Sequence, residues 1–542
     1  MKRREFLTRA IPASTLPFLI GGLPLMAYGR SPILDALFGS AAASDRVLVL
    51  VQLNGGNDGL NTVIPLDQYS ALANARANIL IPQNKVLSLT TATGLHPAMG
   101  PDASTGRTQS LYSLFNEGKA AVLQSVGYPN PSFSHFRATD IWLTASDSNV
   151  VLSSGWLGRY LDAEFPGYPS AYPSPAMPDP LAIQIGSVVS SGLQGPSVSM
   201  GLAIANPNST YILPGGPTDP PPNTPAGHEL TFLRTVAEQT QQYSASVKGA
   251  AAGKATNKST LYPTAGQNSL ADQLKVVAQL IAGGLKTRIY VVNLGGFDTH
   301  SAQVASTGGT ETGLHATLLG KLSLAIAAFQ DDLHLLGIED RVIGMTFSEF
   351  GRRIKSNGAL GTDHGSAAPM FIFGTNVQGG VVGSNPTLPA SALVTDNIPL
   401  QFDFRSVYLS VLRDWFGASV TELQTAVSGT ITKPLTTAVI KNSAVLGAGE
   451  TQPVVSEYAL EQNFPNPFNP STVIRYAIPR GANVRLEIFN TAGERVAVLV
   501  ESEQSAGVHE VRFDAGNLAS GAYFYTLRAG DFTATKKLLL VR

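Results

Sequence analysis

The 542-residue chain is predicted to be an α/β protein, a mostly parallel sheet flanked by helices, followed by a small all-β sandwich. Three observations predict it. Continuous apolar runs of strand length at 45–53, 288–294 and 341–347 end in glycine-rich or acidic phrases, as central parallel strands do. Stretches of helical periodicity separate these runs. Beyond residue 455 the pattern changes to short alternating strands, with a turn every ~8–12 residues.

Taken in order, the chain opens with Met1-Lys-Arg-Arg-Glu-Phe-Leu7, a weakly apolar stretch broken by Pro12, Pro17 and Pro24, and the small-residue cleavage phrase Ala41-Ala-Ala43. This resembles a twin-arginine export signal over 1–43, and it implies the twin-arginine translocase as a partner. The prolines argue against a permanent transmembrane segment. The run at 45–53 enters Asn54-Gly-Gly-Asn-Asp-Gly59, a strand running into a glycine-rich turn. A helical stretch at 108–119 leads to a strand at 120–126, a loop of Pro and Ser, and a helix beginning near His135. From 165 to 225 Pro, Gly and Ser dominate, which reads as a loop-rich insertion capping the sheet, with short strands at most. Helices at 228–247 and 268–281 flank a low-complexity stretch. The strand at 288–294, an amphipathic helix at 313–336, the strand at 341–347 and a closing helix at 400–416 complete an α/β unit over 44–440. A linker at 441–455 precedes the sandwich at 456–542.

Composition narrows the function classes. Hydrophobic residues make up 44% of the chain and charged residues 14%, with a formal net charge of -1. That is ample for a large core and leaves no basic footprint for nucleic acid, so no nucleic-acid partner is expected. Cysteine is absent, which excludes disulfides, thiolate metal sites and cysteine nucleophiles. Any metal must therefore sit on nitrogen and oxygen ligands. Candidates cluster at Gly295-Gly-Phe-Asp-Thr-His300 and Ser348-Glu-Phe-Gly-Arg352, each after a strand run, and at Thr362-Asp-His-Gly365, which precedes the apolar run 368–373, so the three could converge on one sheet edge, where open α/β folds place their sites.

Two resemblances add to this reading. Tyr458-Ala-Leu-Glu-Gln-Asn-Phe-Pro-Asn-Pro-Phe-Asn-Pro-Ser-Thr472, Gly521-Ala-Tyr-Phe-Tyr525 and Lys536-Lys537 closely resemble the type A C-terminal sorting domain of the type IX secretion system. That implies an immunoglobulin-like sandwich, the type IX machinery as a partner, transit through the periplasm, and an extracellular or outer-surface destination. The alternative is an adhesive or spacer module. The main domain resembles the exported bacterial family of unknown function DUF1501, through the phrase at 54–61, Leu95-His-Pro97, Ser134-His-Phe136 with Asp140-Ile-Trp142, and the three phrases above. That family looks like a branch of the alkaline phosphatase and sulfatase superfamily.

The second resemblance implies an alkaline phosphatase-like fold with one or two divalent ions and a hydroxyl that attacks phosphorus or sulfur. Asp298 and His300 look like the ligand pair after a central strand, and His364, with Asp363 beside it, like the later part of that site. The donor set suits zinc, with magnesium, manganese or calcium as alternatives. Glu349 stands where the superfamily carries Asp, and Phe350 where it carries His, so the second ion site departs from the pattern. In the first loop Asn54 takes the place of a metal carboxylate, with Asp58 four residues on. Ser134, then Ser132, is the candidate nucleophile at a helix N-terminus, His135 a group that binds or polarises substrate, and Arg352 a clamp for an anionic oxygen. Bland readings stay open beside these: an Asp-Thr-His turn, a Glu349 ion pair with Arg352 or Arg353 at a helix start, serine N-caps and a satisfied histidine. His96 reads as a turn residue, and His228, His315, His334 and His509 as structural. The expectation is an exported metal-dependent hydrolase acting on phosphate or sulfate esters. The alternative is a non-catalytic surface protein binding glycans or sulfated polymers, or a structural envelope component.

Overall fold

The computed structural model describes residues 45–102, 107–207, 220–252, 256–429, 431–441, 458–460, 462–463, 466–504, 507–516 and 518–541, together with two short strands, Phe18–Ile20 and Leu23–Leu25. The remainder of the expected leader and all but the first residue of the expected linker lie outside the described residues. The strands and helices used below are β1 (Val47–Asn54), α1 (Tyr69–Arg76), β2 (Ala120–Gly127), α2 (His135–Thr144), α3 (Trp156–Glu164), β3 (Ala182–Ile185), β4 (Gly201–Ile204), α4 (Pro225–Ala252), α5 (Ser269–Ala282) and β5 (Ile289–Gly295). After them come α6 (Leu314–Leu336), β6 (Val342–Phe347), β7 (Arg352–Ser356), β8 (Thr362–His364), β9 (Ala368–Phe373), β10 (Gly380–Val382), β11 (Phe402–Asp403) and α7 (Phe404–Val411).

A nine-stranded sheet runs in the order β10-β2-β9-β6-β1-β5-β3-β4, with β11 pairing β2. Only β9 runs against its neighbours; every other pairing in this sheet is parallel. The reason lies in the side-chain alternation. Val47, Val49, Val51 and Leu53 of β1 enter one apolar layer while Leu48 and Leu50 enter the other, and β5 divides in the same way. A strand buried on both faces needs cover on both. On one side that cover comes from α4, α5 and α6, and on the other from α2, α3 and α7. Asn268 starts α5 by accepting a hydrogen bond from the Ala271 amide, and Gly337 stops α6 in the left-handed region.

Register then fixes where the site can be. Gly295 of β5 lies opposite Asn54 of β1, and Phe347 of β6 opposite Gln52, so these parallel strands release their loops at a common edge. Two segments differ from expectation. The stretch 165–225 supplies β3 and β4, which pair into the sheet and put Ile183, Ile185 and Ile204 in its apolar layer, besides covering it. After Glu349 the chain forms the hairpin β7–β8 in place of a helix start, and Ile354 packs in the same small cluster as Leu72 and Ala75 of α1.

Toward the C-terminus, β12 (Ser471–Ile478), β13 (Ala482–Phe489), β14 (Arg495–Gln504), β15 (Gly507–Asp514), β16 (Gly521–Ala529) and β17 (Phe532–Leu540) build two antiparallel sheets. One sets β12 between a short strand, Ala459–Leu460, and β15; the other runs β14-β13-β16-β17. Alternate residues such as Ile474, Tyr476, Leu486, Ile488, Tyr525 and Leu527 form their shared core. Among the described residues no helix is long and apolar enough to cross a membrane.

Candidate metal centre

The loops leaving β1 and β5 touch. Gly55 has φ of +122°, and a Cβ there would lie 2.3 Å from the Asp298 amide nitrogen, so glycine alone permits this approach. The Phe297 amide donates to the Asn54 carbonyl at 3.0 Å and closes the contact. Beneath it Arg352 is fully buried. Its Nε donates to Gly56 O at 2.7 Å, Nη1 to Thr362 O at 2.9 Å, and Nη2 to Phe297 O at 3.0 Å and Asp298 Oδ1 at 2.7 Å. One guanidinium thus binds both loops to the hairpin and holds the carboxylate in place. Burial pulls the Asp298 carboxyl up, but the hydrogen bond and charge of Arg352 outweigh it and leave the group below its ordinary range.

Three imidazoles converge on that carboxylate. His364, the last residue of β8, places Nε2 3.3 Å from Asp298 Oδ1; His300 places Nε2 3.2 Å from the same oxygen and 2.8 Å from His364 Nε2. His135, the first residue of α2, brings Nε2 to 3.4 Å from Asp298 Oδ2. Ligating atoms of His135, Asp298 and His364 all lie within 4.8 Å of one another.

The opposite nitrogen of every ring faces an oxygen acceptor. His364 Nδ1 is 2.7 Å from Phe133 O, His300 Nδ1 is 3.3 Å from Asp363 Oδ1, and His135 Nδ1 is 2.9 Å from Glu349 Oε1. With the proton on Nδ1 of each ring, each Nε2 turns its lone pair toward Asp298. Burial, with the charge of Arg352, outweighs the hydrogen bonds to Phe133 O and Asp298 and holds the His364 imidazole below its ordinary range. Two lone pairs facing each other at 2.8 Å repel, and a cation between them turns that repulsion into coordination. The donors, neutral imidazole nitrogen and carboxylate oxygen, fit a borderline divalent ion such as zinc.

Other residues singled out in the sequence fall into place around this cluster. Glu349 is buried, accepts the Gly55 amide at 2.8 Å, and acts on His135. Phe350 is buried against the rings of His135 and His364, at centroid separations of 4.9 and 4.5 Å. Asp363 accepts from Asn357 Nδ2 at 3.2 Å, and that bond, opposed by burial and helped by His300, holds its carboxyl below the ordinary range. Asp58 is fully buried, with Arg76 Nη1 at 2.9 and 2.8 Å from its two oxygens and Gln303 Nε2 at 2.6 Å. Its carboxylate is spent there, held low against burial by the charge of Arg76. Ser134 occupies the N-cap of α2, exposed and without a side-chain capping bond, and its amide donates to Ser132 Oγ at 3.3 Å. Among the described residues neither hydroxyl is bonded to the histidines or to Asp298. Arg352 lies under the carboxylate, closed off from solvent.

A cleft of about 500 Å³ opens over the cluster, with Asn54, His135, Asp298 and Glu349 in its lining. Its walls add Gln52, Phe136, Thr139, Asp140 and Ser191, none of them a site candidate in the sequence, although Phe136 and Asp140 stand in phrases that carry the family resemblance. Four of these carry a signal: Gln52 is a polar break in an apolar strand, and 136, 139 and 140 share one helical face. His315, which the sequence reads as structural, is buried with Nε2 3.0 Å from Asn57 Oδ1.

Residues 225–416 match the model of DUF1501, a protein family of unknown function, and residues 462–541 match that of a secretion system C-terminal sorting domain. The first match takes in Asp298, His300, Glu349 and His364, while Asn54, Asp58 and His135 lie ahead of it. No curated protein matches the chain. Among solved structures, PorZ, a surface component of the type-IX secretion system of Porphyromonas gingivalis, is 20% identical over 18% of this chain and 13% of its own, at a TM-score of 0.12. Ps i-CgsB in complex with k-i-k-neocarrahexaose is 11% identical, over 80% of this chain and 83% of that one, at 0.32. The PsFucS1 sulfatase from Pseudoalteromonas sp. is 11% identical, over 89% and 86%, at 0.30. At such TM-scores none of these likenesses bears on chemistry.

Proposed function

We propose that this chain is an exported metal-dependent hydrolase of phosphate or sulfate esters. The observation that carries the reading is the set of three imidazoles, each with Nδ1 on an oxygen acceptor and Nε2 turned to Asp298. In it, Asp298, His300 and His364 hold the ion, Arg352 fixes Asp298, and Asp363 orients His300. A divalent ion bound there supplies Lewis-acid polarisation of an ester oxygen. His135, backed by the buried Glu349, is the base: its Nε2 takes the proton of an attacking water in the cleft and returns it to the leaving oxygen. Ser134, exposed and with its hydroxyl bonded neither to the histidines nor to Asp298, has no part in that scheme. Export rests on the sorting-domain match and on the twin-arginine resemblance of the leader.

The full-length protein, loaded in turn with Zn²⁺, Mn²⁺, Mg²⁺ and Ca²⁺, is assayed on aryl phosphate and aryl sulfate esters while bound metal is measured by elemental analysis. The expected result is stoichiometric metal with turnover, and loss of both in Asp298→Ala and His364→Ala. His135→Asn should keep the metal and lose the rate. A protein that takes up metal yet cleaves neither ester would make this a binding or structural centre, and loss of metal in His135→Asn would move that residue into the ion's shell.

A further inference from the structure

The cleft beside the metal centre carries groups that the hydrolytic scheme leaves unused. Phe136 is 91% exposed, yet it lines the cleft in the turn directly after His135. Around it stand the amides of Gln52 and Asn54 and the hydroxyls of Thr139 and Ser191. Among the described residues none of these four polar side chains has a hydrogen-bond partner within the chain. No lysine or arginine lines the cleft; the nearby Arg137 is committed to Asp140 and to the Ser148 and Val150 carbonyls, and Arg352 is buried. The charged lining besides His135 is acidic, from Asp140, Asp298 and Glu349.

We propose that this cleft is a binding subsite for a neutral sugar ring. A pyranose offers an apolar C–H face, which an exposed phenyl ring accepts, and a rim of hydroxyls, which uncharged amides and hydroxyls satisfy as both donors and acceptors. Beyond the one ester engaged at the metal centre, further sulfate or phosphate groups would meet a lining with carboxylates and no lysine or arginine, and that arrangement opposes them. Resting on the hydrolase reading, the inference names the substrate class: a single ester, engaged at the metal centre, carried on a sugar that is otherwise uncharged. Binding of the sugar itself needs no ion.

The test measures binding of neutral galacto- and gluco-oligosaccharides of two to four units, and of their multiply sulfated counterparts, to the full-length protein by calorimetry with and without chelator. Neutral oligosaccharides should bind in both conditions. Phe136→Ala should weaken them about tenfold, and Phe136→Trp should retain them. Because Phe136 is exposed, its replacement leaves the core intact, and an unchanged melting curve checks that. Asn54→Ala provides a second variant with the same expected direction. Preference for the sulfated forms, or full affinity in Phe136→Ala, overturns the proposal. Sugar binding without any ester hydrolysis would sink the hydrolase reading and keep the subsite, whereas hydrolysis of aryl esters without sugar binding would do the reverse.

Discussion

Glu349 acts on the centre through His135. Its carboxylate fixes the His135 tautomer from behind, so replacing it by an amide of the same shape lets the ring turn and lowers its basicity. Glu349→Gln should therefore reduce kcat about 10–100-fold with metal content unchanged, as read by steady-state kinetics beside elemental analysis. Arg352 is the opposite case, a residue whose loss is felt in the fold. Arg352→Met leaves buried carbonyls and Asp298 without their donor, and denaturant melts should show a loss of about 3–5 kcal/mol. The motif phrases exposed Asp298 and His300 because they follow directly on a strand, where a short turn leaves little choice of direction, and His364 because its phrase leads into the apolar run of β9. The oxygen partners were out of reach, since Phe133, Asp363 and Glu349 meet their histidines across the chain and no spacing rule joins them. The sequence marked Arg352 as a possible anion clamp because arginine pairs with anions; only burial shows that its anion is Asp298 and its other acceptors are backbone.

Elements position these residues through backbone contact. At Gly55 the added methyl of Gly55→Ala would collide with the Asp298 amide and strain a positive φ, pushing the β1 loop away from the β5 loop. The variant should keep its sheet by circular dichroism yet lose most of its metal affinity in a titration. The helix α6 and the turn after Leu95 make a second demand, through two buried neutral histidines. Burial, with smaller charge effects, takes His96 down to about 3 and His315 to about 4, from an ordinary value of 6.5. Both folded values are depressed, so their contribution is intact above pH 6.5 and is lost as pH falls, because the unfolded chain takes up protons that the folded chain refuses. Between pH 6 and 4 the unfolding free energy should drop by up to about 2.7 kcal/mol per pH unit, and by about half that in His315→Gln, measured by urea melts across pH. Continuous apolar runs made β1, β5 and β6 legible, as helical spacing did α5 and α6. The hairpin β7–β8 was not, since Arg352 to His364 is short, polar and aperiodic, and takes its shape from Arg352 and from contact with α1.

At the scale of the whole molecule the apolar clusters divide by position in the chain. Both layers of the large sheet draw on residues between Val47 and Ile440, and the cluster of the two antiparallel sheets draws only on residues from Leu460 to Leu540. Among the described residues none is shared between them. Ending the chain at residue 450 therefore removes no side chain from the sheet's layers, and stability that comes from burial should stay with the shortened chain. The expected outcome is a protein that binds the same metal equivalents and melts within a few degrees of the full chain by calorimetry, while fractionation of the producing cells finds it retained in the periplasm. Retention would follow because the residues removed include the whole of the sorting-domain match at 462–541. A shortened chain that aggregates or loses its metal would show that the two parts depend on each other for folding, and one that still reaches the medium would show that the address lies elsewhere in the chain.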